Sequence, residues 1–188
     1  MLIKTDVDLL EATLSSETIA SGGMLIVKRD QVRLANGHSS QREYVVHPGA
    51  VVVVPILDNG HILLERQFRY PLKQVFIELP AGKIDRGESH LEAGKRELLE
   101  ETGYTAMEWI YLGCQHPCIG YSNEIIHIYL ARQLIYSQKQ LDDDESLILF
   151  EYHLDECVID IMAGKITDSK TIVALFKAQH FLKQGVEY

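Results

Sequence analysis

Residues 82–104 read "GKIDRGESHLEAGKRELLEETGY". Four glutamates fall between Glu92 and Glu101, with Arg96 among them. Ser89 followed by Glu92 three residues later matches a capping box, and Gly103 supplies a helix stop. The spacing predicts a helix over about residues 90–102, entered from a loop, "GKIDRGE". At about 100° per residue, Leu91, Leu98 and Thr102 share a narrow face, with Leu99 at its edge. That face is expected to pack on a sheet. Glu97, Glu100 and Glu101 fall within an arc of about 100° on the other side. Ala93 and Gly94 lie near the same arc. A glycine inside a helix costs roughly 1 kcal/mol relative to alanine, so a small residue here suggests close approach of a ligand. Arg96 stands four residues before Glu100 and can pair with it. One arginine does not neutralise three carboxylates. A hard divalent cation such as Mg²⁺ does, taking oxygen ligands and completing its shell with water and phosphate.

The rest of the chain is consistent with that requirement. It has 188 residues, the size of one domain, and a formal net charge of −9. Such a charge argues against a nucleic-acid surface, which needs a basic stripe. An acidic protein that handles phosphates needs cations between the two. No apolar run is long enough for a signal peptide or a membrane span, so the cytoplasm is the expected location. Cys114, Cys118 and Cys157 have no framework spacing and read as reduced thiols.

Outward from the acidic window, residues 1–46 are polar and broken by "SGG" and "NGHSS". "MLIVKRDQVRLANG" and "QREYVVH" read as antiparallel strands of a small sheet. This N-terminal β region is expected to precede a main domain over residues 47–188. "AVVVVPIL" is a continuous apolar run, as for a strand buried on both faces. "DNG" at 58–60 predicts a hairpin with "HILLERQFRY" as the partner strand. "VFIELPAG" reads as one short strand stopped by Pro80. "EWIYLGCQ", "IIHIYLARQLIY" and "LILFEYHL" read as further strands. "DECVIDIMAG" reads as a short helix, and "DSKTIVALFKAQHFLKQG" as a longer one capped by Asp168 or Thr167. The order is a mixed α/β layout, a sheet covered by helices.

The acidic window also fits a longer pattern, G-x5-E-x7-R-E-U-x-E-E-x-G-U with U an aliphatic or aromatic residue. Gly82, Glu88, Arg96, Glu97, Leu98, Glu100, Glu101, Gly103 and Tyr104 occupy its fixed positions. A chance match is roughly one in a billion windows at ordinary residue usage. The window resembles the Nudix box of the Nudix hydrolases. "HPGAVVVVPIL", "LLERQFRY", "IELPAGKID", "GYSNEIIHIYLA" and "AGKITDSKTIVAL" resemble the ADP-ribose pyrophosphatase branch of that family. "HPCIGYSNE" carries two more residues than that branch's usual "SPGYSNE".

The resemblance implies an α/β/α sandwich with a mixed sheet, preceded by the small N-terminal antiparallel sheet. It implies hydrolysis of the pyrophosphate of ADP-ribose or related ADP-sugars, giving AMP and a sugar phosphate. Position by position, it implies that the Ala81 carbonyl, Glu97 and Glu101 ligate Mg²⁺, or Mn²⁺ as a substitute, with Glu100 close by. Glu88 and Arg96 would brace the loop and helix. Arg42, Arg69, Glu78 and Glu124 would contact substrate. A metal-bound water would be the nucleophile. Its proton would pass to an acidic loop after the box, here "LDDDESL", with Glu145 the first candidate and Asp143 and Asp144 beside it. Members of this branch pair as homodimers through the N-terminal sheet. Three alternatives stay open: another nucleoside diphosphate sugar or a dinucleotide as substrate, a nucleoside triphosphate as substrate, and a non-catalytic module that senses ADP-ribose.

Overall fold

The computed structural model describes residues 6–138 and 146–184. These fall into two compact units. One runs to His47 and includes Cys118–Glu124; the other comprises Pro48–Pro117 and the chain from Ile125 onward.

The first unit is built on β1 (Ala12–Ser21), β2 (Ile26–Arg33) and β3 (Ser39–Val46), an antiparallel sheet in that order. The sequence reading gave β2 and β3 but not β1. No residue of β1 is buried, so its apolar residues do not alternate and the period-2 signal is missing. Cross-strand charge helps to fix its register: Arg29 on β2 pairs with Glu17 on β1 at 3.3 Å and with Glu43 on β3 at 2.8 Å.

The second unit has two sheets. β4 (Ala50–Pro55), β7 (Ala81–Lys83), β8 (Tyr104–Gln115) and β9 (Ile126–Tyr136) form a mixed sheet in the order β7-β4-β9-β8, with β4 and β9 parallel. β5 (His61–Arg69), β6 (Gln74–Glu78) and β10 (Leu147–His153) form an antiparallel sheet in the order β10-β5-β6. The helices are α1 (His90–Glu97), α2 (Leu154–Met162) and α3 (Ser169–Gln184).

Every residue of β4 is buried, as its apolar run predicts. The strand divides two cores by alternation. Val51 and Val53 face α1, where they pack with Ala93, Leu98, Tyr129 and Ala131. Val52 and Val54 face the other way, toward Ile62, Leu64, Leu175 and Ala178. Each fully buried side chain of this size stabilises the fold by roughly 1.5–3 kcal/mol.

Two expectations about neighbouring strands need correction. The turn at "DNG" forms, with the Gly60 amide donating to the Leu57 carbonyl at 2.8 Å. The hairpin does not extend past one bridge, Ile56 to Ile62. β5 instead joins the second sheet, because its apolar side chains are buried between layers rather than beside β4. "VFIELPAG" is likewise two strands in two sheets, β6 and β7, with Pro80 at the crossing. Proline lacks the N–H that would continue a ladder. Part of the segment expected as loop, "GKIDRGE", is therefore strand.

The start of α1 carries an aromatic cluster. His90 stacks on His127 of β9, with ring centroids 4.1 Å apart and planes 13° apart. The Tyr129 hydroxyl lies 2.6 Å from His90 Nδ1, and the Tyr111 hydroxyl 3.0 Å from His127 Nδ1. Cys114 is the cross-strand neighbour of His127. Burial, and then the adjacent His90, lower His127 from the ordinary value of 6.5. The unfolded chain therefore takes up this proton first as pH falls. The stabilisation from a neutral His127 is complete above about pH 6.5 and is lost as pH drops below it. Urea unfolding midpoints are expected to fall between pH 7 and pH 5, and the fall is expected to be smaller in His127→Asn. Equal falls in the two proteins would show that His127 does not contribute.

Candidate active site

The acidic window begins as the sequence predicts. Ser89 caps α1: its hydroxyl accepts from the Glu92 amide, and the Glu92 carboxylate accepts from the Ser89 amide at 2.8 Å. Regular α-helix ends at Glu97, earlier than expected. Leu98–Thr102 form a π-helical turn, closed by Gly103 in the left-handed region at φ 78°. Such turns are concentrated at functional sites. This one changes the phase of the residues that follow Leu98. Leu98 and Thr102 are buried against the sheet, and Glu97 and Glu101 are buried as well, at 8% and 2% exposed.

Arg96 is the hub. Its guanidinium reaches Glu88 Oε1 at 3.0 Å, Glu97 Oε1 at 2.7 Å and Glu100 Oε2 at 3.0 Å, and donates to the Lys83 carbonyl at 3.0 Å. These carboxylates raise its pKa further above the ordinary value, the Glu88 hydrogen bond contributing most. Reciprocally, Arg96 and then the Asp85 amide hold Glu88 below the usual carboxylate range. The bracing role expected of Glu88 and Arg96 corresponds to a direct contact between them. One cation thus ties the loop to the helix and offsets repulsion among three carboxylates.

Glu101 turns toward β7, where its Oε2 accepts from the Ala81 amide at 2.9 Å. Glu97 lies against Gly82. A Cβ on Gly82 would fall 1.8 Å from Glu97 Oε1 and 2.0 Å from its carboxyl carbon. Glycine is needed here for space rather than for its backbone angles. Gly94 has a different use from the one expected. A Cβ there would meet Val51 Cγ2 at 3.3 Å and Trp109 Cζ3 at 3.5 Å. The small residue lets α1 sit close on the sheet, and faces the core rather than a ligand.

Glu78 and Arg69 come together as a bidentate pair at 2.7 and 2.8 Å. Lys170 also donates to Glu78, and to Asp168 at 2.9 Å. Burial alone would raise Glu78; the hydrogen bonds and charges of Arg69 and Lys170 outweigh it and hold the group below its ordinary value. Beside this cluster is a pocket of about 390 Å³ lined also by Leu72, Phe76 and Ser169. A larger pocket of about 760 Å³, between β8 and α3, contains none of the residues singled out by sequence. Sequence reasoning missed Lys170; its signal was the "TDSKT" stretch, read only as a helix start.

Arg42 and Glu124 belong to the other unit. There Arg42 binds Glu11 at 2.9 Å, and Glu124 lies 3.6 Å from His47. Asp143, Asp144 and Glu145 lie outside the described residues.

The ligand atoms at the C-terminal end of α1, from Glu97, Glu100 and Glu101, are all oxygens, the chemistry a hard divalent cation takes. The close seating of Glu97 on Gly82, and of Glu101 on the Ala81 amide, fits such a group. Among the described residues no three His, Cys, Asp or Glu side chains are grouped closely enough to enclose an ion. Arg96 holds Glu97 and Glu100 by one oxygen each.

A braced acidic helix seated on a mixed sheet, entered through a glycine-bounded loop, matches the NUDIX domain over residues 46–165, and the chain belongs to that family of hydrolases. Members of the family use divalent metal ions. The chain is 37% identical to the ADP-ribose pyrophosphatase of Bacillus subtilis (strain 168) over 179 residues, covering 94% of this chain and 96% of that one. It is 42% identical to the methanol dehydrogenase activator of Bacillus methanolicus over 171 residues, 88% of this chain and 90% of that one. Among solved structures, that of an ADP compounds hydrolase superposes with a TM-score of 0.84 at 28% identity, covering 94% and 97% of the two chains.

Replacing Gly82 by alanine should displace Glu97. A drop in turnover of about 10–100-fold is expected, with the circular-dichroism spectrum unchanged. Wild-type turnover in a folded Gly82→Ala protein would show that the Glu97 position is not required.

Proposed function

We propose that this protein hydrolyses the pyrophosphate bond of ADP-ribose or a related ADP-sugar, giving AMP and a sugar phosphate. The observation that carries this reading is the Arg96-centred carboxylate cluster next to the buried Glu97 and Glu101, in a chain similar over nearly its whole length to ADP-ribose pyrophosphatases. In this reading the Ala81 carbonyl, Glu97, Glu100 and Glu101 hold Mg²⁺, for which Mn²⁺ substitutes. When bound, the cation neutralises the pyrophosphate and lowers the pKa of a water molecule.

The chain's own residues supply the rest. Arg96 and Glu88 keep the carboxylates in place before substrate arrives, so little reorganisation accompanies the reaction. Arg69, half exposed beside Glu78, offers a guanidinium to an anionic substrate; Arg42 and Glu124 are assigned to substrate on the family resemblance alone. Glu145, with Asp143 and Asp144 beside it, accepts the proton of the attacking water. The absence of framework spacing among the three cysteines favours a reducing compartment, the cytoplasm. Among the described residues no helix is long and apolar enough to cross a membrane.

The double variant Glu97→Gln with Glu101→Gln is expected to lose about 100-fold or more of Mg²⁺-dependent turnover of ADP-ribose. Product analysis in ¹⁸O-labelled water should place the label on AMP or on ribose 5-phosphate, and a nucleotide panel run in parallel separates ADP-ribose from other nucleoside diphosphate sugars and dinucleotides. Undiminished turnover in the double variant, or no cleavage of any ADP-sugar by the wild type, would contradict the reading.

The protein also pairs with a second copy through its N-terminal sheet. Leu14 and Ile19 on β1, Leu25 just before β2 and Ile26 at its start are exposed, an apolar surface of the kind that marks an interface. Light scattering should report twice the chain mass, and Leu14→Glu with Ile19→Glu should halve it. A monomeric wild type at micromolar concentration would rule the pairing out.

A further inference from the structure

Between the end of β6 at Glu78 and the start of β7 at Ala81 the chain passes from one sheet to the other. Leu79 is fully buried in this crossing. A buried amide outside a ladder needs an acceptor from elsewhere. The Leu79 amide finds it in α3: the Thr171 hydroxyl accepts at 2.9 Å. Thr171 is itself fully buried, and its own amide is held by the Asp168 carboxylate at 3.0 Å. One residue earlier, Lys170 binds Glu78, the other side of the same crossing.

The tether continues toward the acidic helix. The Val53 amide donates to the Pro80 carbonyl at 2.9 Å, the Ala81 amide donates to Glu101, and Gly82 lies against Glu97. A continuous run of hydrogen bonds and contacts thus leads from the first turn of α3, through five residues, to the two buried glutamates.

We propose that Thr171 is a positioning residue for the acidic site: its hydroxyl fixes the 78–82 crossing, and so the Ala81 backbone and the carboxylates of Glu97 and Glu101. The proposal rests on the reading of those glutamates as cation ligands. Outer partners of this kind typically change metal affinity or activity by 10–100-fold when removed.

The test is Mn²⁺ titration followed by electron paramagnetic resonance, without substrate, on the full chain. Thr171→Val keeps the shape and removes the hydroxyl; it is expected to raise the Mn²⁺ Kd about tenfold or more. Thr171→Ser restores the hydroxyl and is expected to bind within about twofold of wild type. If Thr171→Val does not fold, Thr171→Ala carries the same expectation. A folded Thr171→Val or Thr171→Ala with wild-type Mn²⁺ affinity, even with a lowered unfolding midpoint, overturns the proposal and leaves the reading of the glutamates intact. Failure of Thr171→Ser to restore binding overturns it too. If the wild type binds no Mn²⁺, or binds it as well with Glu97→Gln and Glu101→Gln, the reading of the glutamates fails and the proposal falls with it.

Discussion

The second unit is organised by one electrostatic constraint: several carboxylates held within a single turn of helix and the loop before it. Coulomb repulsion at such separations is weak in water but grows as the groups are withdrawn from it. Here Glu97 and Glu101 are withdrawn almost completely. Arg96 answers part of the cost, and the Ala81 amide answers another part. Leaving either carboxylate without such partners would be expensive in a buried setting. The sheet beneath must therefore be stiff, because displacement of β7 would remove a donor from Glu101 and the space that Glu97 occupies.

That requirement accounts for the use of β4. It is buried on both faces and flanked by β7 and β9, so it ties β7 to the main core. α1 packs on its odd-numbered side chains, and the close approach depends on Gly94. On the opposite face α3 packs on its even-numbered side chains and reaches round to the crossing at Leu79. The acidic helix is thus referenced to both layers.

Features encoded over short spans were legible in the sequence. The capping box at Ser89 and Glu92, the stop at Gly103, the pairing of Arg96 with Glu100 and the two-sided burial of "AVVVVP" each follow from a handful of neighbouring residues. Features that depend on distant partners were not. The turn at "DNG" specifies a reversal but not which strand pairs beyond it, and β5 is claimed by β6 and β10. Gly94 looks like a gap for a ligand until Val51 and Trp109 are placed opposite it. The π turn at Leu98–Thr102 has no local signature in "LLEET". Thr171 reads as an ordinary helix residue because its partner, the Leu79 amide, is far away in the chain. β1 has no burial pattern to read.

The parallel pairing of β4 with β9 has a consequence for how the chain is made. Ala50 is aligned with Ile126 and Pro55 with Ala131. The box helix therefore leaves the ribosome before the strand that completes its bed. Until Tyr129 and Ala131 have been synthesised, the apolar side of α1 lacks part of its packing surface. Closing so long a segment is slow compared with forming a hairpin. Ala81 and Gly82, which seat Glu101 and Glu97, are made before the helix, so what the helix gains last is its apolar packing on β9 rather than the partners of its carboxylates.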